Sequence, residues 1–202
     1  MALKEYNKKR VFNKTPEPKG GKSSAAALHF VVQKHDATSL HYDFRLEMDG
    51  VLKSWAVPKG PSLNPEDRRL AMMVEDHPYD YKDFEGVIPS GNYGAGPVII
   101  WDEGVYETLE PLPSKKEEEK SLLRQLKSGS LKFRLSGKKL KGEFALVHIK
   151  NNTGKSDNAW LLIKHRDEFA SNADITKKDK SVVSGKSIIQ IARPKAKKRL
   201  NA

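Results

Sequence analysis

The sequence predicts a mainly β protein, namely a compact closed or nearly closed antiparallel β-barrel with one or two short helices outside and flexible basic tails. Apolar and polar residues alternate with a period of two between Leu40 and Met48, which is typical of a strand buried on one face. Further short apolar runs follow, separated by segments rich in Gly, Asn, Asp and Pro. Many short strands with turn signals between them favour a barrel or a sandwich.

The first two predicted strands form a hairpin. Asp49-Gly50 follows the alternating run directly and is succeeded by a second strand candidate, Val51–Val57. This dipeptide favours a two-residue type I′ turn, because both of its positions need a positive φ. Such a turn sets the pairing register of the two strands. The expected pairs are Met48 with Val51, Phe44 with Trp55, Tyr42 with Val57, Arg45 with Ser54 and Asp43 with Ala56.

The rest of the chain adds more strands and one helix. Ser114 and Glu117 have the spacing of a capping box, an apolar stripe follows, and Gly129 can end the helix. The other strand candidates are Arg69–Val74, Val98–Trp101, Leu131–Leu135, Glu143–Ile149 and Trp160–His165.

Charge divides the chain into three regions. The net charge is +11, but residues 1–24 hold seven Lys/Arg against two Glu, and residues 176–202 hold nine Lys/Arg against one Asp. The basic ends suggest a polyanionic partner, although solvated Lys-rich ends are also common. We therefore predict a partly irregular N-terminal arm at 1–24, a barrel domain at 25–170, and a basic, disordered tail at 171–202.

Two absences in the sequence limit the classes of function. There is no cysteine, so disulfides, thiolate metal sites and cysteine nucleophiles are excluded. No run approaches the roughly 20 apolar residues of a membrane span, and no apolar stretch follows the charged N-terminus. The sequence thus predicts a cytoplasmic protein without a membrane partner, in which any metal is held by His, Asp, Glu or water.

A candidate metal site lies on the polar face of the first hairpin. His41, Asp43 and Arg45 alternate along one strand, and His35 precedes them across a turn. Residues two apart on a strand point the same way, so an imidazole and a carboxylate can converge on one cation. Two His and one Asp suit Mn²⁺ or Zn²⁺, and Arg45 could clamp a phosphate. The alternative is a polar strand face with scattered histidines.

A second cluster follows in residues 69–81. Strand alternation would put Arg69, Glu75 and His77 on one side, with Tyr81 at helical spacing from His77. His77 could contact a phosphate or protonate a leaving oxygen, with Arg69 and Lys59 adding positive charge. An ordinary exit from a strand into a turn explains the same residues. The glycines of residues 89–96 match no phosphate-binding spacing and are interpreted as turns.

Longer stretches of sequence are more specific than these spacings. Up to about residue 168, the chain closely resembles the 3′-phosphoesterase domain of bacterial DNA ligase D. The matching stretches are Phe30–His35, Leu40–Glu47, Leu52–Ser62, Val74–Pro78, Tyr81, Phe84–Pro89 and Trp160–Asp167.

This resemblance implies a β-barrel with a crescent groove that removes a terminal ribonucleoside and then the 3′-phosphate from DNA, leaving a 3′-OH. Arg10-Val11-Phe12 stands where the family usually has Arg-Asp-Phe, so phosphate removal is implied more strongly than ribonucleoside removal. The implied metal ligands are His35, His41 and Asp43, usually with Mn²⁺ and with Zn²⁺ or Co²⁺ as alternatives. The implied catalytic residues are His77, Arg45, Tyr81, Lys59, Arg69 and Glu75, and the implied substrate-binding residues are Arg10, Glu17, Arg45 and Arg69.

The resemblance also implies partners. They are DNA 3′ ends, as primer-templates with a 3′-phosphate or 3′-ribonucleotide, and a separate DNA ligase, polymerase and Ku. Since these residues include no ligase or polymerase segment, we expect a free-standing, monomeric version of the domain. Two other functions stay open, a nucleic-acid-binding barrel with a structural metal and a metal phosphodiesterase acting on RNA ends. A closed four-ligand metal site would favour the binding barrel, and open coordination positions favour an enzyme.

Overall fold

The computed structural model of the chain describes residues 3–23, 26–149 and 158–193. Its ten named strands all lie in one antiparallel sheet. Its strands are β1 (Leu28–Asp36), β2 (Leu40–Met48), β3 (Val51–Val57), β4 (Arg69–Met73), β5 (His77–Pro78), β6 (Gly86–Ile88), β7 (Gly96–Glu107), β8 (Ser130–Gly137), β9 (Lys141–His148) and β10 (Ala159–Lys164). The α-helices are α1 (Lys4–Lys8), α2 (Lys115–Ser128) and α3 (Ile188–Ala192), and short 3₁₀ helices span Tyr79–Asp83 and Ile175–Lys177.

The sheet closes on itself. The strand order runs β1-β2-β3-β4-β10-β9-β8-β7, and β7 pairs again with β1. Strands β5 and β6 lie outside this ring, paired with β3 and β7. The predicted fold class, a mainly β closed antiparallel barrel, is confirmed. Within the described residues, no helix is long and apolar enough to cross a membrane.

The β2–β3 hairpin has the predicted register. All five expected pairs occur, from Tyr42 with Val57 to Met48 with Val51. Asp49 and Gly50 have φ values of 55° and 72°, as a type I′ turn requires. The predicted helix is α2, in which the Ser114 side chain accepts from the Glu117 backbone N–H and Gly129 ends the helix in the left-handed conformation.

The two faces of β2 belong to different parts of the molecule. Tyr42, Phe44 and Leu46 pack in the main core with aromatic residues from the other strands. The opposite face, which carries Asp43 and Arg45, is buried as well. A second cluster covers it, formed by the arm, the segment after β5 and parts of β3, β6 and β7. Its buried residues are Tyr6, Leu52, Tyr79, Tyr81, Phe84, Ile88 and Val98. The polar row is therefore less open to solvent than alternation alone suggests.

Residues 171–193 form a strap across the barrel. The backbone N–H of Val182 donates to the Ile100 carbonyl at 2.9 Å, and the Trp101 indole donates to the Lys178 carbonyl at 2.7 Å. Ile175 and Ile188 are buried. The prediction of a disordered tail from residue 171 is wrong for this strap, because a few apolar side chains and backbone bonds hold a segment of basic composition. The rest of that prediction, residues 194–202, lies outside the described residues.

Candidate metal centre

The β1–β2 hairpin brings the three predicted metal ligands together. His35 and His41 are directly opposite each other in the register, and Asp43 follows His41 on the same face of β2. One ligand atom from each residue can be chosen so that all three lie within 4.8 Å of one another. The sequence spacing alone could not establish this convergence, because it depends on the tightness of the turn between the strands.

Backbone carbonyls orient both imidazole rings. The carbonyl oxygen of Gly94 lies 2.8 Å from Nε2 of His35, and that of Ser39 lies 2.8 Å from Nδ1 of His41. Since a carbonyl only accepts, each of these nitrogens carries the proton. In the neutral rings the lone pairs are then on Nδ1 of His35 and Nε2 of His41. These atoms lie 3.4 Å and 3.6 Å from the Asp43 carboxylate oxygens.

This donor set fits a divalent cation. Two nitrogen lone pairs and an anionic carboxylate face one point, and such an arrangement is stabilised by positive charge between them. The pKa of His41 shows that positive charge is favoured at this point. Burial lowers this pKa, but the Asp43 carboxylate outweighs burial and raises it above its usual value. Burial would raise the pKa of Asp43, yet Arg45 and the two histidines hold it well below the usual range. Asp43 is therefore an available anionic ligand.

Arg45 is buried next to the metal ligands. Its Nη2 lies 3.0 Å from Asp43, its Nη1 donates to Ser54 at 2.9 Å, and its Nε donates to Gln33 at 2.8 Å. Gln33 in turn donates to the Tyr81 and Phe84 carbonyls at 2.9 Å and 2.8 Å. Sequence reasoning missed Gln33, although its position two residues before His35 on β1 puts it on the same face.

His77 lies in β5, buried beneath the arm. Its Nδ1 is 2.9 Å from the Glu75 carbonyl, and Nη2 of Arg10 donates to its Nε2 at 3.3 Å. Burial, together with the charges of Arg45 and Arg10, holds the pKa of His77 well below its usual value. The ring is thus neutral, with the proton on Nδ1 and the lone pair on Nε2.

The arm completes this cluster. Glu17 accepts from Nε of Arg10 at 2.8 Å and from the Tyr81 hydroxyl at 3.0 Å. The Tyr81 ring lies 4.9 Å from the Arg45 guanidinium and 4.8 Å from the His77 ring, measured between centres. Arg10 and Glu17, which the sequence assigned to substrate binding, are therefore within one network with Arg45, His77 and Tyr81.

The two groups of residues line one cavity of about 350 Å³. Its lining includes the metal ligands, Arg45, His77, Tyr81, Glu75 and Arg10, as well as Ala37, Thr38, Ser39, Ala56, Val74, Ile88, Tyr93 and Gly94. The small side chain of Ala56, opposite Asp43, leaves the space that the hairpin register predicted.

Three of the candidate residues do not line this cavity. Glu17 is connected to it through Arg10 and Tyr81, from which it accepts hydrogen bonds. Lys59 is exposed in the turn after β3. Arg69 pairs with Asp67 at 2.8 Å, and on β4 it shares the face of Ala71, which belongs to the main core. The expectation that alternation carries Arg69 to the side of His77 is wrong, because β4 ends at Met73 and the chain turns before His77. Contact of Lys59 and Arg69 with a longer substrate stays a prediction.

The loop of residues 89–96 is a second feature that the sequence did not assign to the site. The turns that its glycines predict are present, since Gly91, Gly94 and Gly96 have positive φ values. The loop also supplies the Gly94 carbonyl that orients His35 and the Tyr93 side chain on the cavity rim. No sequence signal distinguishes this use of glycine from an ordinary turn.

Several known proteins are similar to this chain in sequence. The family model of the DNA ligase D 3′-phosphoesterase domain matches residues 33–148. The multifunctional non-homologous end joining protein LigD of Pseudomonas aeruginosa is 47% identical over 194 residues, which is 93% of this chain and 22% of that protein. LigD of Mycolicibacterium smegmatis is 40% identical over 173 residues, 82% of this chain and 21% of that protein. The chain thus spans less than a quarter of the length of these relatives. By the family match, the chain belongs to the DNA ligase D 3′-phosphoesterase domain family.

Proposed function

We propose that this protein is a metal-dependent phosphoesterase that processes DNA 3′ ends, removing a 3′-phosphate and a 3′-terminal ribonucleoside to produce a 3′-OH for repair and ligation. The observation that carries the proposal is the meeting of a metal-donor set with Arg45 and His77 in one cavity. Membership of the phosphoesterase family and the end-joining role that the names of its relatives give support the same reaction.

The metal would be held by Nδ1 of His35, Nε2 of His41 and the Asp43 carboxylate. Mn²⁺ is the proposed ion, with Zn²⁺ or Co²⁺ as alternatives, because N and O donors with open positions suit such cations. When bound, the ion would neutralise phosphate charge as a Lewis acid.

The side chains around this set would bind and orient the phosphate. Arg45 offers a planar guanidinium already held by Gln33, Ser54 and Asp43, so little entropy is lost when it donates to phosphate oxygens. Arg10 would turn from His77 to the phosphate, which frees Nε2 of His77. Glu17 and Tyr81 hold Arg10 and the ring of His77 in position.

Water is the proposed nucleophile. It forms the new bond to phosphorus as the bond to the leaving oxygen breaks, and Nε2 of His77 accepts a proton from the water. The leaving oxygen is the 5′ oxygen of the ribonucleoside when the ribonucleoside is removed and the 3′ oxygen of the DNA when the phosphate is removed. It takes a proton from solvent and departs as a hydroxyl. A neutral His77 suits this acceptor role better than the acid role expected from sequence. A covalent phosphohistidine, formed at Nε2 of His77 once Arg10 has moved to the phosphate, is the alternative route.

The proposed partners follow from this reaction. DNA primer-templates with damaged 3′ ends are the substrates, and a DNA ligase, a polymerase and Ku would act on the same breaks in the cytoplasm, at the nucleoid. The basic ends of the chain, where most of the net charge of +11 lies, suit a DNA polyanion. A monomer is proposed, since one chain provides all residues of the cavity.

The test is an end-processing assay. Labelled primer-templates ending in a 3′-phosphate or a 3′-ribonucleotide would be incubated with the protein, with each metal or with chelator, and the products resolved by length and charge. We expect a 3′-OH product with Mn²⁺ and none with chelator. His77→Gln should remove turnover while metal binding, measured by calorimetry, stays within a few-fold.

Other outcomes would change the assignment. Metal binding without turnover of any DNA or RNA end would favour a nucleic-acid-binding barrel with a structural ion. Turnover of RNA ends alone would favour an RNA-end phosphodiesterase. Loss of metal binding in His77→Gln would make His77 a ligand and contradict the proposed division of roles.

A further inference from the structure

Tyr93 is an exposed aromatic side chain on the rim of the cavity. Its exposed fraction is 54%, whereas the other aromatic side chain in the cavity lining that could stack, Tyr81, is 2% exposed. No part of the proposed reaction uses Tyr93. A single exposed aromatic residue is ordinary on a protein surface, so its surroundings must carry the argument.

The loop around Tyr93 is tied to the metal ligands. The carbonyl of the next residue, Gly94, holds the ring of His35. The loop backbone also lies against the β1–β2 turn, because a Cβ on Gly96 would come within 2.0 Å of the Asp36 carbonyl oxygen. On its other side, Asn92 donates to the Lys14 carbonyl of the arm at 3.4 Å. The backbone that carries Tyr93 is therefore held at a set position relative to the metal-donor set.

Two cations lie over the ring of Tyr93, so a base would stack on the part of the ring that they leave exposed. Nζ of Lys9 lies 4.6 Å from the ring centroid, and the Arg10 guanidinium lies 5.9 Å from it. Glu75 accepts from Lys9 at 3.0 Å, which keeps the amine beside the ring. An exposed aromatic face with positive charge around it is the combination that binds single-stranded nucleic acid, because bases stack on the ring and phosphates meet the cations.

We propose that Tyr93 is a stacking platform for the nucleobase that adjoins the scissile phosphate. This inference rests on the proposed function, since it takes the phosphate to lie at the metal-donor set. The base on the platform leaves the helical stack of its own strand, so the substrate class is a nucleic acid whose 3′-terminal base is free to unstack. Phosphomonoesters without a base would gain nothing from this residue.

The test compares binding of matched probes to matched variants. The probes are labelled single-stranded oligonucleotides with a 3′-phosphate whose terminal nucleotide either carries a base or is abasic, and a third that ends in a 3′-ribonucleoside. The variants are Tyr93→Ala, Tyr93→Phe and Tyr93→Trp. The control is Phe169→Ala, which removes another exposed aromatic ring, 41% exposed and outside the cavity lining. Affinity is measured by anisotropy in chelator, where metal-dependent turnover is absent.

We expect Tyr93→Ala to weaken binding of the probe with a terminal base by roughly tenfold, within the range measured for base–aromatic stacking. Binding of the abasic probe should change less than about twofold, and the Phe and Trp variants should bind like the wild type. An effect seen only with the ribonucleoside probe would put the stacked base on the departing side of the phosphate. Equal weakening of the base-carrying and abasic probes, or none at all, overturns the platform.

Turnover with Mn²⁺ is followed separately on the same proteins. If binding depends on the base through Tyr93 but the wild type shows no turnover, the proposed reaction is contradicted and the stacking role of Tyr93 is supported. If the wild type shows turnover but Tyr93→Ala binds the probes unchanged, the proposed reaction is supported and the stacking role of Tyr93 is contradicted.

Discussion

Arg10, which follows α1 in the N-terminal arm, donates to Nε2 of His77 across 3.3 Å. The bond joins residues that are 67 positions apart in sequence, and it couples the arm to the centre of the cavity. Since a guanidinium only donates, His77 must present a lone pair there. The charge of Arg10 also lowers the pKa of His77, as burial and the charge of Arg45 do more strongly, so a second proton on the ring is disfavoured.

The neutral state of His77 predicts a pH dependence of stability. Its folded-state pKa lies below the unfolded value of about 6.5, so as pH falls through that value the unfolded chain takes up a proton that the folded chain refuses. The free energy of unfolding should therefore fall with pH by up to about 1.4 kcal/mol per unit from this group. In His77→Gln the dependence of the unfolding free energy on pH should be weaker by that amount. Urea unfolding between pH 7.5 and 5 measures it.

His165→Gln is the control for the pH experiment. His165 is a half-buried surface residue next to Glu143, outside the cavity, and its variant should not reproduce the change in slope expected for His77→Gln. Identical slopes for the wild type and His77→Gln would contradict a neutral buried His77.

Gly94 should affect metal affinity through His35. A Cβ on Gly94 would lie 3.4 Å from Cε1 of His35, and the φ of +71° is strained for alanine. Because the Gly94 carbonyl orients the ring, we expect Gly94→Ala to weaken Mn²⁺ binding roughly tenfold, the scale seen for residues that support ligands. Calorimetric titration with Mn²⁺ checks it.

Gly91→Ala is the matched variant for this prediction. Gly91 also has a positive φ, +85°, but a Cβ there meets nothing within 4 Å. It should carry a similar backbone cost and leave the metal affinity near that of the wild type. Equal losses in the two variants would mean that loop strain, and not the support of His35, governs the affinity.

The two metal ligands on β2 should differ in their effect on stability. His41 is half-buried at the cavity edge, so His41→Ala should abolish turnover and weaken metal binding with little change in unfolding free energy. Asp43 is 6% exposed and lies 3.0 Å from the buried Arg45. Asp43→Ala should also destabilise the fold, by about 3 kcal/mol, because it removes the carboxylate partner of a buried cation.

Chemical unfolding and calorimetry of both variants measure this difference. Mn²⁺-dependent turnover near the wild-type level in either one would contradict the metal site. Equal unfolding free energies for the two would show that Gln33 and Ser54 satisfy Arg45 without Asp43.

Residues 194–202 should contribute to DNA attraction. They include four Lys/Arg and no acidic residue, and each phosphate contact adds roughly 0.9 to the magnitude of the salt slope on duplex DNA. Deleting them should flatten the slope by up to about 3.6 units if all four contact phosphates, and should leave kcat within a few-fold. Binding and turnover of a 3′-phosphate primer-template at several salt concentrations test this.

The deletion point matters because the strap packs on the barrel. A deletion from residue 177 would also remove the Lys178 carbonyl that accepts from Trp101 and the buried Ile188, so it should lower the unfolding free energy. An unchanged salt slope after deletion of 194–202 alone would mean that the basic side chains near the cavity supply the attraction.

The barrel and the shared face of His41 and Asp43 could be predicted from local patterns. Alternation and Asp49-Gly50 determine the β2–β3 register, since a one-residue slip would turn every apolar side chain of β2 out of the core. The positions of His41 and Asp43 on one face follow from the same period. These are properties of neighbours in sequence.

The rest required the tertiary structure. The bond from Arg10 to His77, the support of His35 by Gly94, and the packing of the strap on Trp101 each join segments far apart in the chain. Arg69 was expected beside His77 because alternation was extended past Met73, where the strand in fact ends. Sequence periodicity determines which way a side chain points within one strand, but only the closure of the sheet and the path of the loops decide which distant backbone and charged groups it meets.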